Sequence, residues 1–281
     1  MSNTQHLICK MKKEMGMGNR IKHLMSFLQY FNSPEEIFLI WPNTGWVSDS
    51  FNNLFEFDKT TTIKELNNSI VDANIQPSYP TSWRLYVAPD YNIDIENDDP
   101  FDKDTKRIDF LYNKTPQEII DIYRPIFARI KPSKQVKEII ETTEINENMI
   151  AVQIRDNSDW IKNGRTPYLE QFIEKMKKYP KDTKFFISVM NETISNKLKD
   201  LFPNQIVELP NKEYHSMKYA VADMFLLSIP KKALCSCGST FYEVSWWIGG
   251  CNADVTVIGD YKNWRMPSKG KIVRHIFYYK K

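Results

Sequence analysis

The sequence predicts an α/β protein made of two Rossmann-like domains, with a ligand cleft between them. Three observations predict it. From 149 to 258, short apolar runs alternate with amphipathic segments of ten or so residues, the rhythm of strands and crossover helices in a parallel, doubly wound sheet. The N-terminal stretch shows the same rhythm as strand, glycine turn, helix, strand, which is a βαβ unit. Between the two lies the polar run TTEINENM, 142–149, where few core contacts would cross.

Taken in order, HLICKM at 6–11 reads as a strand, 20–31 as an amphipathic helix, and 37–41 as a second strand stopped by Pro42. APDYNIDIENDDPFDKD, 88–104, is acidic, Asn-rich and without periodicity, and reads as a surface loop. A helix is expected over 115–130, with Thr115 as N-cap, Pro116 at the first helical position and Glu118 in the first turn. Another follows over 133–142. The junction falls at 142–148, giving domains 1–145 and 146–281. In the second domain strands are expected at 149–154, 184–189, 205–209, 233–237 and 255–258, and helices at 168–178, 192–202, 216–228 and 239–248.

Composition narrows the function classes. Of 281 residues 42% are hydrophobic, enough for real cores, and 38 Lys and Arg against 35 acids leave a formal charge of +3. That is no global field for nucleic acid, so any basic site is local. No apolar run approaches the ~20 residues of a spanning helix, and the N-terminus lacks the pattern of a secretory signal. A soluble, cytoplasmic protein without a transmembrane segment or nucleic-acid partner is the expectation. Cys9, Cys235, Cys237 and Cys251 do not make a zinc set: Cys235-Ser236-Cys237 is C-x-C, no second close pair exists, and His215 and His275 are distant.

Ligands of open parallel sheets sit beyond the carboxyl ends of the strands, and three such places carry suggestive residues. In IAVQIRDNSDW, Arg155 ends a buried-looking strand, where an always-charged guanidinium needs an anion or a carboxylate such as Asp156, Asp159 or Asp223. In LCSCGSTFYEVSWW, Gly238-Ser239-Thr240 opens a helix whose free N–H groups and hydroxyls suit phosphate oxygens, or else supply only an N-cap. In ADMFLLS, Asp223 is a carboxylate in an apolar helix and needs donors from a ligand or a neighbour. Together they describe a nucleoside-diphosphate site. EMGMGNR, 14–20, has the spacing of a dinucleotide loop, but Ile21 stands where the third glycine of G-x-G-x-x-G belongs.

GMGNR after the first strand, VQIRDNSDW, ADMFLLSIPKKALCSCGSTF, Trp41-Pro42 and the F-x-x-L-F-E stretch at 51–56 together resemble the GDP-fucose-dependent fucosyltransferases, a group that includes nodulation, core α1,6 and protein O-fucosyltransferases. The resemblance runs from about residue 16 to 250. It implies a GT-B fold, GDP-fucose as donor substrate with no further cofactor and no metal, inversion at the sugar carbon, and a glycan or other hydroxyl acceptor. By the same resemblance Arg155 grips the diphosphate, Ser239, Thr240 and Phe241 form the phosphate-side segment, and Asp223 faces the guanine or ribose. Asn19 and Arg20 face the reacting sugar, with Gly16 and Gly18 letting the backbone approach it. Gln153 stands where the family often has His, and Asp156 where many members have a second Arg.

The chemistry then asks for preorganised positive donors on the leaving diphosphate, which Arg155 and the helix start at Ser239 would supply. The general base is open among Glu14, His23 and Asp49. Two rival readings stand beside this one. The first is a metal-dependent transferase using the D-x-D of Asp102-Lys103-Asp104. The second is a nucleotide- or sugar-binding protein without turnover, in which Trp46, Trp160, Trp246 and Trp247 stack on sugars.

Overall fold

The computed structural model describes residues 6–66, 76–78, 85–87, 106–108, 115–155 and 169–259. Among them two compact units divide between Ser133 and Lys134, earlier in the chain than the polar run at 142–149.

The first unit begins with β1 (Ile8–Lys10), α1 (Met17–Tyr30) and β2 (Glu36–Ile40). Helix α1 starts three residues before the stretch read as helical, so GMGNR is not a loop: Gly16 caps the helix in an extended conformation and Gly18, Asn19 and Arg20 lie in its first turn. The apolar stripe Ile21, Leu24, Met25, Phe27 and Leu28 is fully buried, which sets the helix on the sheet. Asn32 and Ser33, both with positive φ, end it, and the Ser33 N–H donates to Leu28 O at 2.7 Å.

Next come α2 (Phe51–Leu54), β3 (Phe55–Phe57), β4 (Thr62–Leu66), β5 (Leu85–Val87) and β6 (Lys106–Ile108). Strands β1, β2 and β4 form a parallel sheet in that order. Trp41, Phe51 and Phe55 pack edge-on or tilted at 5.3–6.3 Å beneath its end. The F-x-x-L-F-E stretch is therefore part of the core. Helix α3 (Gln117–Phe127) is shorter than the predicted 115–130, and it is followed by β7 (Ile130–Pro132), antiparallel to β3. Pro125 falls within the last turn of α3, where its missing N–H weakens continuation.

The second unit contains α4 (Lys134–Ile140), β8 (Ile150–Gln153), α5 (Leu169–Met176), β9 (Phe185–Ser188), α6 (Glu192–Leu201) and β10 (Ile206–Val207). It continues with α7 (Met217–Leu226), β11 (Lys232–Ser236), α8 (Thr240–Ile248) and β12 (Asp254–Ile258). All five strands are parallel, in the order β10-β9-β8-β11-β12. Strands β8, β9 and β11 are buried almost throughout, as a sheet covered on both faces requires. Ile150, Val152, Phe185, Ile187 and Leu234 pack with Phe172, Met176, Ile194 and Leu198 of α5 and α6. Helix α7 packs on α4 and on α8. The order doubles back between β8 and β11, and that reversal is the topological switch point of a doubly wound sheet.

Candidate functional site

The switch point gathers the residues that the sequence singled out one by one. Gln153 closes β8 opposite Ser188 of β9 and Cys235 of β11. The Arg155 N–H donates to Ser236 Oγ at 2.8 Å, so the loop after β8 is tied to the end of β11. Gly238, at φ 66°, turns the chain into α8, a left-handed conformation that glycine adopts without strain. Ser239 is the N-cap in position only and makes no side-chain cap bond. The first-turn N–H groups of Thr240 and Phe241 have no intrahelical acceptor, leaving a partial positive charge at the carboxyl edge of the sheet.

Asp223 comes to the same edge from α7 and is 2% exposed. Its Oδ2 accepts from Ser188 Oγ and Lys212 Nζ, both at 2.7 Å, while Oδ1 is buried without a hydrogen bond. Burial raises the Asp223 carboxyl above its ordinary range; Lys212 and Ser188 pull it down and Glu208 pushes it up, and burial wins. Gln153 Oε1, beside Ser188 in the sheet register, is likewise buried without a hydrogen bond. A cavity of about 490 Å³ opens at the β10 edge, walled in part by Lys199, Glu208, Lys212 and Tyr214. It meets the switch-point residues through Lys212.

In the first unit Arg20 is 0% exposed. Its Nε donates to Met15 O at 2.9 Å, Nη1 to Pro42 O and Nη2 to Lys13 O at 3.3 Å, and the guanidinium lies 5.1 Å from the Trp41 ring centroid. Arg20 therefore staples the loops after β1 and β2 together; it is not presented to a substrate, which corrects the role read from the resemblance. Desolvation lowers its pKa to about 10, against an upward pull from Glu14, so it stays charged at neutral pH. Asn19, one position earlier, has a buried Oδ1 without a hydrogen bond. Gly16 has ordinary extended φ and ψ, and a Cβ there would meet only Trp46 Cε3 at 3.9 Å. No tight turn is needed at that position.

Other sequence candidates separate in the same way. Trp246 and Trp247 are buried and packed edge to face at 5.0 Å, whereas Trp46 is 55% exposed. His23 is buried within α1, and Asp49 Oδ1 accepts from Ser50 N and Asn53 Nδ2 at 2.8 Å. Asp102, Asp104, Asp156, Asp159, Trp160 and His275 lie outside the described residues. Cys9, Cys235 and Cys237 are buried. Among the described residues no helix is long and apolar enough to cross a membrane.

Sequence reasoning missed Ser188, Lys212, Glu208 and Ser236. Ser236 sits between the two cysteines of LCSCGST, and no local pattern marks its hydroxyl as the partner of a residue 81 positions earlier. Lys212 and Glu208 lie in ELPNKEY, which carries the composition of a solvated loop, and nothing in its pattern signals burial.

No protein-family model and no curated protein matches the chain. Solved structures do. The NodZ α1,6-fucosyltransferase soaked with GDP-fucose superposes with a TM-score of 0.51 at 18% identity, over 87% of this chain and 92% of that one; NodZ from Bradyrhizobium gives 0.51 and 18%, over 86% and 93%. A variant of Arabidopsis thaliana FUT1 in complex with GDP gives 0.51 at 16%, over 90% of this chain and 70% of that one. The POFUT1 apo-form gives 0.50 at 11%, over 92% and 99%. The chain has the GT-B-type α/β fold of these fucosyltransferases, with two parallel sheets.

Proposed function

We propose that this protein is an inverting, metal-independent glycosyltransferase that moves fucose from GDP-fucose to a hydroxyl of a glycan or other acceptor. The observation that carries the reading is the bond from the Arg155 backbone N–H to Ser236 Oγ, which ties the loop after β8 to the end of the strand that leads into α8, at the switch point of the second sheet. It is supported by the fold shared with NodZ, which was soaked with GDP-fucose, and with an FUT1 variant in complex with GDP. In the transfer, the acceptor oxygen forms a bond to the sugar carbon as the bond from that carbon to the diphosphate oxygen breaks, and the acceptor hydroxyl gives up its proton to a base or to water. GDP leaves with the electron pair, so negative charge grows on the phosphate oxygens. A guanidinium fork and oriented N–H groups are suited to that charge because they need no reorganisation as it develops. The second unit would hold the donor, and the first, through Asn19, would serve the acceptor and the reacting sugar.

A binding protein without turnover is the second reading, favoured by Arg20, which is committed to backbone carbonyls. Thermal shifts with GDP-fucose, GDP-mannose, GDP, UDP-sugars and CMP-sugars, each with and without EDTA, test the donor. Guanine nucleotides are expected to stabilise regardless of EDTA, by about 2.7 kcal/mol at a hundred times Kd. A shift only with a uridine donor, and only with metal, sinks the proposal. Release or transfer of fucose then separates an enzyme from a binder.

A further inference from the structure

We propose that Lys212 is a positioning residue of the nucleotide site: it clamps one oxygen of Asp223 and thereby keeps the other, Oδ1, as a free acceptor for the N–H donors of a nucleobase. This rests on the GDP-sugar reading above. Lys212 belongs to the loop between β10 and α7, and its side chain is 5% exposed. A lysine is almost never so buried unless it is paired. Its ammonium reaches Asp223 Oδ2 at 2.7 Å and Glu208 Oε1 at 3.5 Å, and lies 5.3 Å from the Tyr214 ring centroid. Glu208 is itself held, by Ser195 Oγ at 2.5 Å, Lys199 Nζ at 3.0 Å and Tyr214 OH at 3.2 Å. The chain of contacts thus runs from α6 through the loop to α7, with two carboxylates balanced by two ammonium groups.

Both donors to Asp223, Ser188 and Lys212, converge on Oδ2. A carboxylate has acceptor capacity on each oxygen, so leaving Oδ1 bare in a buried place lowers stability unless a ligand uses it. Among the described residues, the charged and hydrogen-bonding groups that act on Asp223 are Lys212, Ser188 and Glu208. Lys212 favours the ionised carboxylate, while burial and Glu208 oppose it. Removing the ammonium therefore moves protonation of Asp223 to higher pH, and removing the Glu208 charge moves it to lower pH.

The test is calorimetric titration of GDP into the full-length protein and its variants between pH 5.5 and 8.5. Lys212→Met is expected to weaken GDP on the order of tenfold at pH 7 and to shift the acid limb of the affinity profile upward, whereas Lys212→Arg restores most of both. Glu208→Gln keeps the ammonium, and its acid limb is expected to move downward; it decides the matter if Lys212→Met does not fold. An unchanged affinity and unmoved limbs in the variants overturn the role of Lys212 alone. Absence of GDP binding by the unaltered protein overturns it together with the reading on which it rests.

Discussion

Arg20 shows how residue type can mislead about residue role. An arginine in the first turn of a helix that opens after a strand has the position of an anion ligand, yet all three guanidinium nitrogens of Arg20 donate to backbone carbonyls of Met15, Pro42 and Lys13. Loop carbonyls brought together in space are invisible to a reading of neighbours along the chain. Arg20→Lys keeps the charge but loses the planar fork. It should cost about 2–3 kcal/mol of stability in urea unfolding, since hydrogen bonds to a buried charge are worth that much, with GDP affinity kept. Lost GDP affinity at unchanged stability would return Arg20 to the site. Asn19 differs by one position and has a different fate: its buried Oδ1 has no hydrogen bond.

At the scale of elements, the second unit was the more legible because its strands are buried runs flanked by amphipathic helices; the periodicity of LEQFIEKM and ETISNKLKDL gave α5 and α6 within a few residues. Sheet edges are less legible. Only Ile206–Val207 of the predicted strand 205–209 pairs with β9, since an edge strand's extent depends on its neighbour and not on its own composition. Helix α8 ends against α7, and a Cβ on Gly249 would lie 2.4 Å from Ser228 O. Gly249→Ala must therefore push the two helices apart. We expect it to destabilise by about 2 kcal/mol, a typical overpacking cost, as a lower thermal midpoint. A midpoint unchanged from the unaltered protein would mean that the α7–α8 contact yields freely.

For the whole molecule, the division into two units makes a functional prediction. Arg155→Ala should weaken GDP binding and remove most turnover, on the order of a hundredfold, because Arg155 belongs to the second unit's switch point. Asn19→Ala, in the first unit, should lower turnover while GDP binding is largely kept. Titration of GDP and measurement of fucose transfer on both variants check this, and equal loss of GDP binding in the two would remove the division of labour. The sequence by itself determined the α/β class, the strand and helix order of the second half and the motifs at 153–155 and 238–241, because burial imposes a period on residues close in the chain. Only the tertiary structure decided that β11 returns beside β8, that Ser236 ties Arg155 in place, that Lys212 reaches Asp223 and that Arg20 turns away into backbone carbonyls. These facts depend on strand order and on contacts between residues far apart in the chain, and no local periodicity carries them.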